Sequence, residues 1–173
     1  EDLIKDAGKV IENDYSDVKI NLFKKQENFS YEESVNHNIL IFLLYENIKK
    51  KDVFKKFVEI KKKFKLLSNQ KPSLMINDLN ISQDDLNSLF EFEKIEFLLK
   101  SVENKNNRFL EIGAGAGRTT QTILALKENI KYVVADVPPA INLSYNNIKK
   151  LFPKKKISFA YEAENKDQIM DML

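Results

Sequence analysis

Before residue 105, apolar positions recur three and four residues apart, a spacing that predicts helices. One face of the first predicted helix is formed by Leu3, Ala7, Val10 and Ile11. Ser30 with Glu33 matches a capping box and predicts a helix start, and Ser82 with Asp85 predicts the start of another helix. The stretch 69–80, which contains a proline, is predicted to be a break between helices.

Apolar stripes mark the predicted helices, and such stripes are typical of a buried core. The stripe residues are Phe54, Phe57, Val58, Phe64, Leu86, Leu89, Phe92, Ile95, Leu99 and Val102. A dimer face or a lid over a substrate is the alternative that the pattern leaves open.

From Lys105 the pattern changes to short β-branched runs that alternate with helical segments. The predicted order is strand Arg108–Ile112, helix Thr119–Lys127, strand Lys131–Asp136, helix Pro139–Phe152 and strand Ile157–Tyr161. Alternating strands and helices imply a parallel sheet with right-handed crossovers. We therefore predict a helical N-terminal region over residues 1–104 and an α/β domain over residues 105–173.

Composition excludes several classes of function. The 173-residue chain has no cysteine, hence no disulfide, thiolate metal site or cysteine nucleophile, and this fits a reducing cytoplasm. The longest apolar run, Ile39–Tyr45, is too short to span a membrane. Net charge is +2, and the lysine clusters at 49–51, 61–63 and 154–156 have acidic neighbours, so solvated surfaces are predicted rather than a nucleic-acid interface.

Three of the four glycines lie within five residues, at Gly113, Gly115 and Gly117, between a predicted strand and a predicted helix. Glycine there permits a tight turn and a close approach of the backbone to a ligand. The dinucleotide fingerprint needs its third glycine one residue later, where this chain has Arg118. A phosphate-binding P-loop also fails, because Ile112 stands where its first glycine is required.

Two carboxylates flank this glycine turn in the sequence. Glu111, two residues before Gly113, can face a cationic, amine-bearing ligand such as S-adenosylmethionine (SAM). Asp136, nineteen residues after Gly117 at the end of the second strand, can accept both hydrogen bonds of a ribose diol. Together these residues predict a nucleoside-binding site.

The stretch Leu110–Gly117 resembles motif I of class I SAM-dependent methyltransferases. Its continuation, Tyr132–Pro139 with Leu143-Ser144 and Leu151–Pro153, resembles a bacterial family of sugar O-methyltransferases. The resemblance implies an α/β fold in which a partial Rossmann-like SAM-binding domain, strands 1–3 of a seven-strand sheet, follows an α-helical region. It further implies methyl transfer from SAM to a sugar hydroxyl. The expected cofactor-binding residues are Glu111, Gly113, Ala114, Gly115, Gly117 and Asp136.

Strand 4 and its loop, which usually carry catalytic groups in that family, have no counterpart here, so the catalytic residues stay unknown and this chain alone is expected to be inactive. His37, the only histidine, is interpreted as a packing residue, and no spacing resembles a metal site. The first strand should be an edge that pairs across a homodimer unless the N-terminal helices or a continuation of the chain cover it. A non-catalytic binding or assembly module is the alternative function; a nicotinamide-dependent enzyme is a weaker one.

Overall fold

The computed structural model describes residues 20–64, 71–101 and 108–160. Its helices are α1 (Tyr31–Ile48), α2 (Asp52–Phe64), α3 (Gln83–Ser101), α4 (Arg118–Leu126) and α5 (Ala140–Leu151). Its strands are β1 (Ser73–Ile76), β2 (Leu79–Ser82), β3 (Arg108–Ile112), β4 (Lys131–Ala135) and β5 (Ile157–Ala160). The helix predicted around residues 3–11, and the predicted strand end at Tyr161, lie outside the described residues.

The first of two compact units contains residues 20–49 and 71–86 of the described chain. Its long helix, α1, begins with the predicted capping box. The Ser30 hydroxyl accepts a hydrogen bond from the Glu33 amide at 3.2 Å, and the Glu33 carboxylate accepts one from the Ser30 amide at 2.7 Å. The reciprocal bonds satisfy amide groups that have no partner within the helix.

Buried amides connect the chain before α1 to the rest of this unit. The side-chain amide of Asn38 donates to the carbonyls of Leu22 and Lys24, each at 2.8 Å. Gln26 donates to the Asn38 side chain and to the Ser73 carbonyl, each at 2.5 Å. Since an unpaired buried amide is costly, these bonds fix the course of a segment that has no regular secondary structure.

The predicted break over residues 69–80 was wrong in part, because it contains most of a β-hairpin. Strands β1 and β2 pair antiparallel, and Ile76 is opposite Leu79. The two residues between them, Asn77 and Asp78, have φ values of 47° and 64°. Positive φ at both positions is what a two-residue hairpin turn requires, and asparagine and aspartate tolerate it better than most residues.

The second unit contains residues 50–64, 87–101 and 108–160 of the described chain. Strands β3, β4 and β5 form a parallel sheet in that order, as the alternating pattern predicts. Glu111, Val134 and Phe159 are paired across the three strands, so their side chains lie on the same face of the sheet. Thr120 of α4 bonds to Glu111 and the Tyr145 ring of α5 contacts Phe159, so both helices cover the same face. The full seven-strand sheet stays a prediction.

The predicted apolar stripes are confirmed as core only in part. Five of their residues are buried: Phe54, Phe57, Leu86, Leu89 and Phe92. Val58, Ile95 and Leu99 are half-buried, and the side chains of Phe64 and Val102 are outside the described part of the chain. One lysine of the predicted solvated clusters is an exception. Lys61 is only 4% exposed, and its ammonium lies 5.5 Å from the centre of the Phe57 ring, where the aliphatic stem is covered and the charge meets an aromatic face.

The predicted domain boundary at residue 104 falls within 102–107, outside the described residues, and stays a prediction. Of the helices that the structure describes, none combines the length and the apolarity needed to cross a membrane.

Candidate functional site

The turn between β3 and α4 is the glycine segment that the sequence singles out. Its backbone is tied to the end of β4, because the Gly113 amide donates to the Ala135 carbonyl at 2.8 Å. The Gly115 amide donates to the Asp136 carboxylate (Oδ2) at 2.7 Å. The glycine turn and the predicted ribose-binding carboxylate are therefore in direct contact, although 21 residues separate the two partners in the chain.

Two of the glycines are required for different reasons. Gly115 has φ +56°, and a Cβ built there would meet nothing within 4 Å, so the turn borders open space at this point. Gly117 has φ +77°, and a Cβ there would lie 2.8 Å from Ile148 Cδ1 and 3.3 Å from Ser144 Cβ. Gly117 thus permits the close packing of α4 on α5, and Gly115 leaves room for a ligand beside the backbone.

Asp136 is half-buried, and its carboxylate is oriented by two backbone amides. Besides the bond from Gly115 to Oδ2, the Val137 amide donates to Oδ1 at 2.8 Å. An ionised carboxylate can accept about four hydrogen bonds, so each oxygen retains capacity for another donor. The arrangement presents a fixed anion beside the open part of the glycine turn.

Glu111 is held by two hydroxyl groups that sequence reasoning missed. Its Oε2 accepts hydrogen bonds from the hydroxyl of Thr120, in the first turn of α4, and from the phenol of Tyr132 in β4, the latter at 2.7 Å. Burial, and next the charge of Glu111, raise the pKa of Tyr132 far above its ordinary value, so the phenol stays protonated and donates. A tyrosine amid the valines of a buried strand was the available signal, since its hydroxyl needs a partner.

The start of α4 has a second anchor that the sequence did not reveal. Glu91 of α3 forms an ion pair with Arg118 at 2.8 Å and accepts a hydrogen bond from the Thr119 hydroxyl. Both partners belong to the first turn of α4, directly after the glycine turn. Glu91 therefore neutralises a cation next to the open site and fixes the helix start.

A cavity of about 570 Å³ lies beside Glu111. Its lining is mainly apolar and comes from α3, β3, α4 and β4: Phe90, Glu91, Lys94, Ile95, Phe109, Leu110, Glu111, Thr119, Ile123 and Tyr132. The carboxylates of Glu91 and Glu111 are its acidic groups. Space is thus available next to the glutamate that precedes the glycine turn.

His37 and metal chemistry do not extend this site. The His37 ring packs edge-on against Phe29 in the first unit, with ring centres 4.8 Å apart. Across the described ranges, no group of three or more histidine, aspartate or glutamate residues could hold a metal ion.

Comparison with known proteins gives a fold likeness of limited extent. No family model matches the chain, and no curated protein matches it. A solved structure of a protein-L-isoaspartate O-methyltransferase is similar, with 17% sequence identity and a TM-score of 0.42. The match covers 73% of this chain and 42% of that protein, so this chain spans less than half of its length. At that identity and TM-score the likeness carries no functional argument, which must come from the site itself.

Proposed function

We propose that the glycine turn with Asp136 binds SAM and that the chain is part of a SAM-dependent methyltransferase acting on a sugar hydroxyl. The observation that carries the proposal is the 2.7 Å contact between the Gly115 amide and the Asp136 carboxylate, beside a backbone with open space. It joins the two features that a bound adenosyl group needs: an anion for the ribose diol and an unobstructed turn for the rest of the nucleoside.

The charges of the ligand match the acidic groups around the turn. SAM has a sulfonium and an ammonium group, and the nearby carboxylates are Asp136, Glu111 and Glu91. Arg118, the cation next to the turn, is paired with Glu91, which reduces its repulsion of a cationic ligand. Gly113, Ala114, Gly115 and Gly117 would lie along the ligand, with the N-terminus of α4 beyond them.

The reaction that follows is an in-line displacement. Bound SAM would supply an electrophilic methyl group: the oxygen of the acceptor hydroxyl would take it as the carbon–sulfur bond breaks, releasing S-adenosylhomocysteine and giving the hydroxyl proton to a base. The turn and its carboxylates would supply binding and orientation of the methyl donor. The sugar as acceptor rests on the sequence resemblance of the segment from Tyr132 to Pro153.

Calorimetric titration with S-adenosylhomocysteine and with NAD, side by side, tests the proposal. We expect S-adenosylhomocysteine to bind and NAD to fail, because the third glycine stands one residue too early for a dinucleotide turn. Asp136→Ala should weaken binding at least about tenfold, since hydrogen bonds to a charged group contribute roughly 1.5–3 kcal/mol each.

Asp52→Ala is the matched control, because the Asp52 side chain is 97% exposed and pairs only with Lys55 at the start of α2. It should leave the affinity unchanged. Tight binding of NAD, or undiminished binding of S-adenosylhomocysteine by a folded Asp136→Ala protein, would overturn the proposal.

A further inference from the structure

Three elements converge on one oxygen atom next to the glycine turn. Glu111 belongs to β3 and precedes the turn, Thr120 follows it in α4, and Tyr132 belongs to β4. Both hydroxyls donate to Glu111 Oε2. Thr120 and Tyr132 are buried, whereas Glu111 is only partly so.

The two oxygens of the Glu111 carboxylate therefore differ in the hydrogen bonds that they accept. An ionised carboxylate only accepts hydrogen bonds, so Oε2 is the acceptor in its contacts with both hydroxyls. Oε1 accepts no hydrogen bond from any residue in the described part of the chain. One oxygen therefore fixes the side chain, and the other has lone pairs that a further donor can use.

Packing alone does not require the Tyr132 hydroxyl. Tyr132 stacks on the Phe109 ring with 5.7 Å between ring centres, a contact that phenylalanine would make equally well. A buried hydroxyl is costly unless it is hydrogen-bonded, and here the Thr120 and Tyr132 hydroxyls are both bonded to the same anion. Orientation of the carboxylate is what the Tyr132 hydroxyl adds beyond packing.

We propose that Thr120 and Tyr132 are positioning residues that hold Glu111 with its free oxygen directed to the ammonium of the amino-acid end of SAM. This inference rests on the proposed function and deepens it. It divides recognition between two carboxylates: Asp136 for the ribose, and Glu111, through its hydroxyl partners, for the cationic end.

Two ligands separate this role from a structural one. S-adenosylhomocysteine contains the ammonium, whereas 5′-methylthioadenosine shares the adenosine and the sulfur but lacks the amino-acid end. Tyr132→Phe and Thr120→Val each remove one donor to Glu111. We expect each variant to bind S-adenosylhomocysteine about tenfold more weakly, the loss of roughly one charge-assisted hydrogen bond, and to bind 5′-methylthioadenosine as the parent does.

Two control variants either keep a hydroxyl at position 120 or remove a tyrosine hydroxyl that does not contact Glu111. Thr120→Ser retains the donor and should restore binding. Tyr145→Phe removes the hydroxyl of an exposed tyrosine outside the network and should change neither affinity. Because binding of 5′-methylthioadenosine reports an intact adenosine site, it also shows that each variant is folded.

The outcomes distinguish this inference from the proposed function. If the parent binds both ligands and the two variants lose them equally, the hydroxyls have only a structural role and the inference is wrong. If the variants bind both ligands as tightly as the parent does, the inference is wrong as well. If the parent binds neither ligand, the proposed SAM site fails and the inference fails with it.

Discussion

Gly117 lies where the first turn of α4 meets α5, and its replacement is the sharpest test of the packing there. Gly117→Ala would combine a positive φ of 77° with a Cβ 2.8 Å from Ile148 Cδ1. Backbone strain of about 1–3 kcal/mol then adds to overpacking of about 1–3 kcal/mol. We expect a loss of roughly 2–6 kcal/mol in the free energy of unfolding, measured by urea denaturation.

Gly113→Ala is the control for the strain alone, because Gly113 has the same φ of 77° but nothing within 4 Å of the added Cβ. Gly113→Ala should lower the free energy of unfolding only by the backbone strain, roughly 1–3 kcal/mol. Equal losses in the two variants would show that contact with α5 does not constrain Gly117.

For individual residues, the sequence predicts the glycine turn better than it predicts the side chains around that turn. Glycine spacing and an acid at a strand end are local signals, and the structure brings Gly115 and Asp136 into contact. The hydroxyl partners of Glu111 and the burial of Lys61 depend on which residues of distant segments meet. No spacing within the chain encodes that, so sequence reasoning missed them.

The start of α1 shows how one cap couples a helix to pH. Hydrogen bonds from the Ser30 amide and hydroxyl lower the pKa of Glu33 below its ordinary value. A carboxyl whose pKa is lowered by folding stabilises the folded state above its unfolded pKa, and that stabilisation is lost as pH falls through the folded value.

We therefore expect the Glu33 carboxyl to titrate below the usual glutamate range, as followed by NMR. In Ser30→Ala the hydroxyl is absent, so the Glu33 midpoint should rise toward the ordinary value and the start of α1 should fray. An unchanged midpoint in Ser30→Ala would mean that the capping box does not persist in solution.

The link from α3 to α4 depends on Glu91. The pair with Arg118 is partly exposed, with the Glu91 side chain 43% accessible, so Glu91→Gln should cost no more than about 1 kcal/mol of stability. A local effect should be clearer. We expect faster hydrogen exchange at the Gln121 amide, which bonds to the Gly117 carbonyl in the first turn of α4.

Glu93→Gln is the control, because Glu93 of the same helix pairs with Lys51 at 2.5 Å and not with α4. It should leave exchange at Gln121 unchanged. If both variants accelerate that exchange equally, Glu91 has no specific effect on the helix start.

Helix starts could be predicted from sequence because capping residues are close together in the chain. The Ser82 hydroxyl accepts from the Asp85 amide at 3.0 Å, and the Asp85 carboxylate accepts from the Ser82 amide at 2.9 Å. The hairpin β1–β2 was missed because each strand has only four residues. Its turn, Asn77-Asp78, also lacks the glycine that two-residue hairpin turns usually contain. Short strands need a partner before their pattern can be distinguished from a loop.

For the molecule as a whole, strand order was predictable because parallel crossovers allow few arrangements. Which elements cover each face of the sheet could not be predicted from the sequence. Helices α4 and α5 lie on one face, and the β3 residues directed to the other face include Leu110, 41% exposed, and Ile112, 80% exposed. Within the described ranges, β3 is also the last strand on its side of the sheet.

An apolar edge strand of this kind invites pairing with another chain, because no strand of the described residues lies beside its outer N–H and C=O groups. We expect the 173-residue chain to self-associate reversibly in sedimentation velocity. Ile112→Lys should shift it to monomer, since a charge on an edge strand opposes pairing. Leu143→Lys, at a 53% exposed leucine of α5, should leave association unchanged. A parent chain that sediments as a monomer at every concentration would show that this edge does not pair between copies.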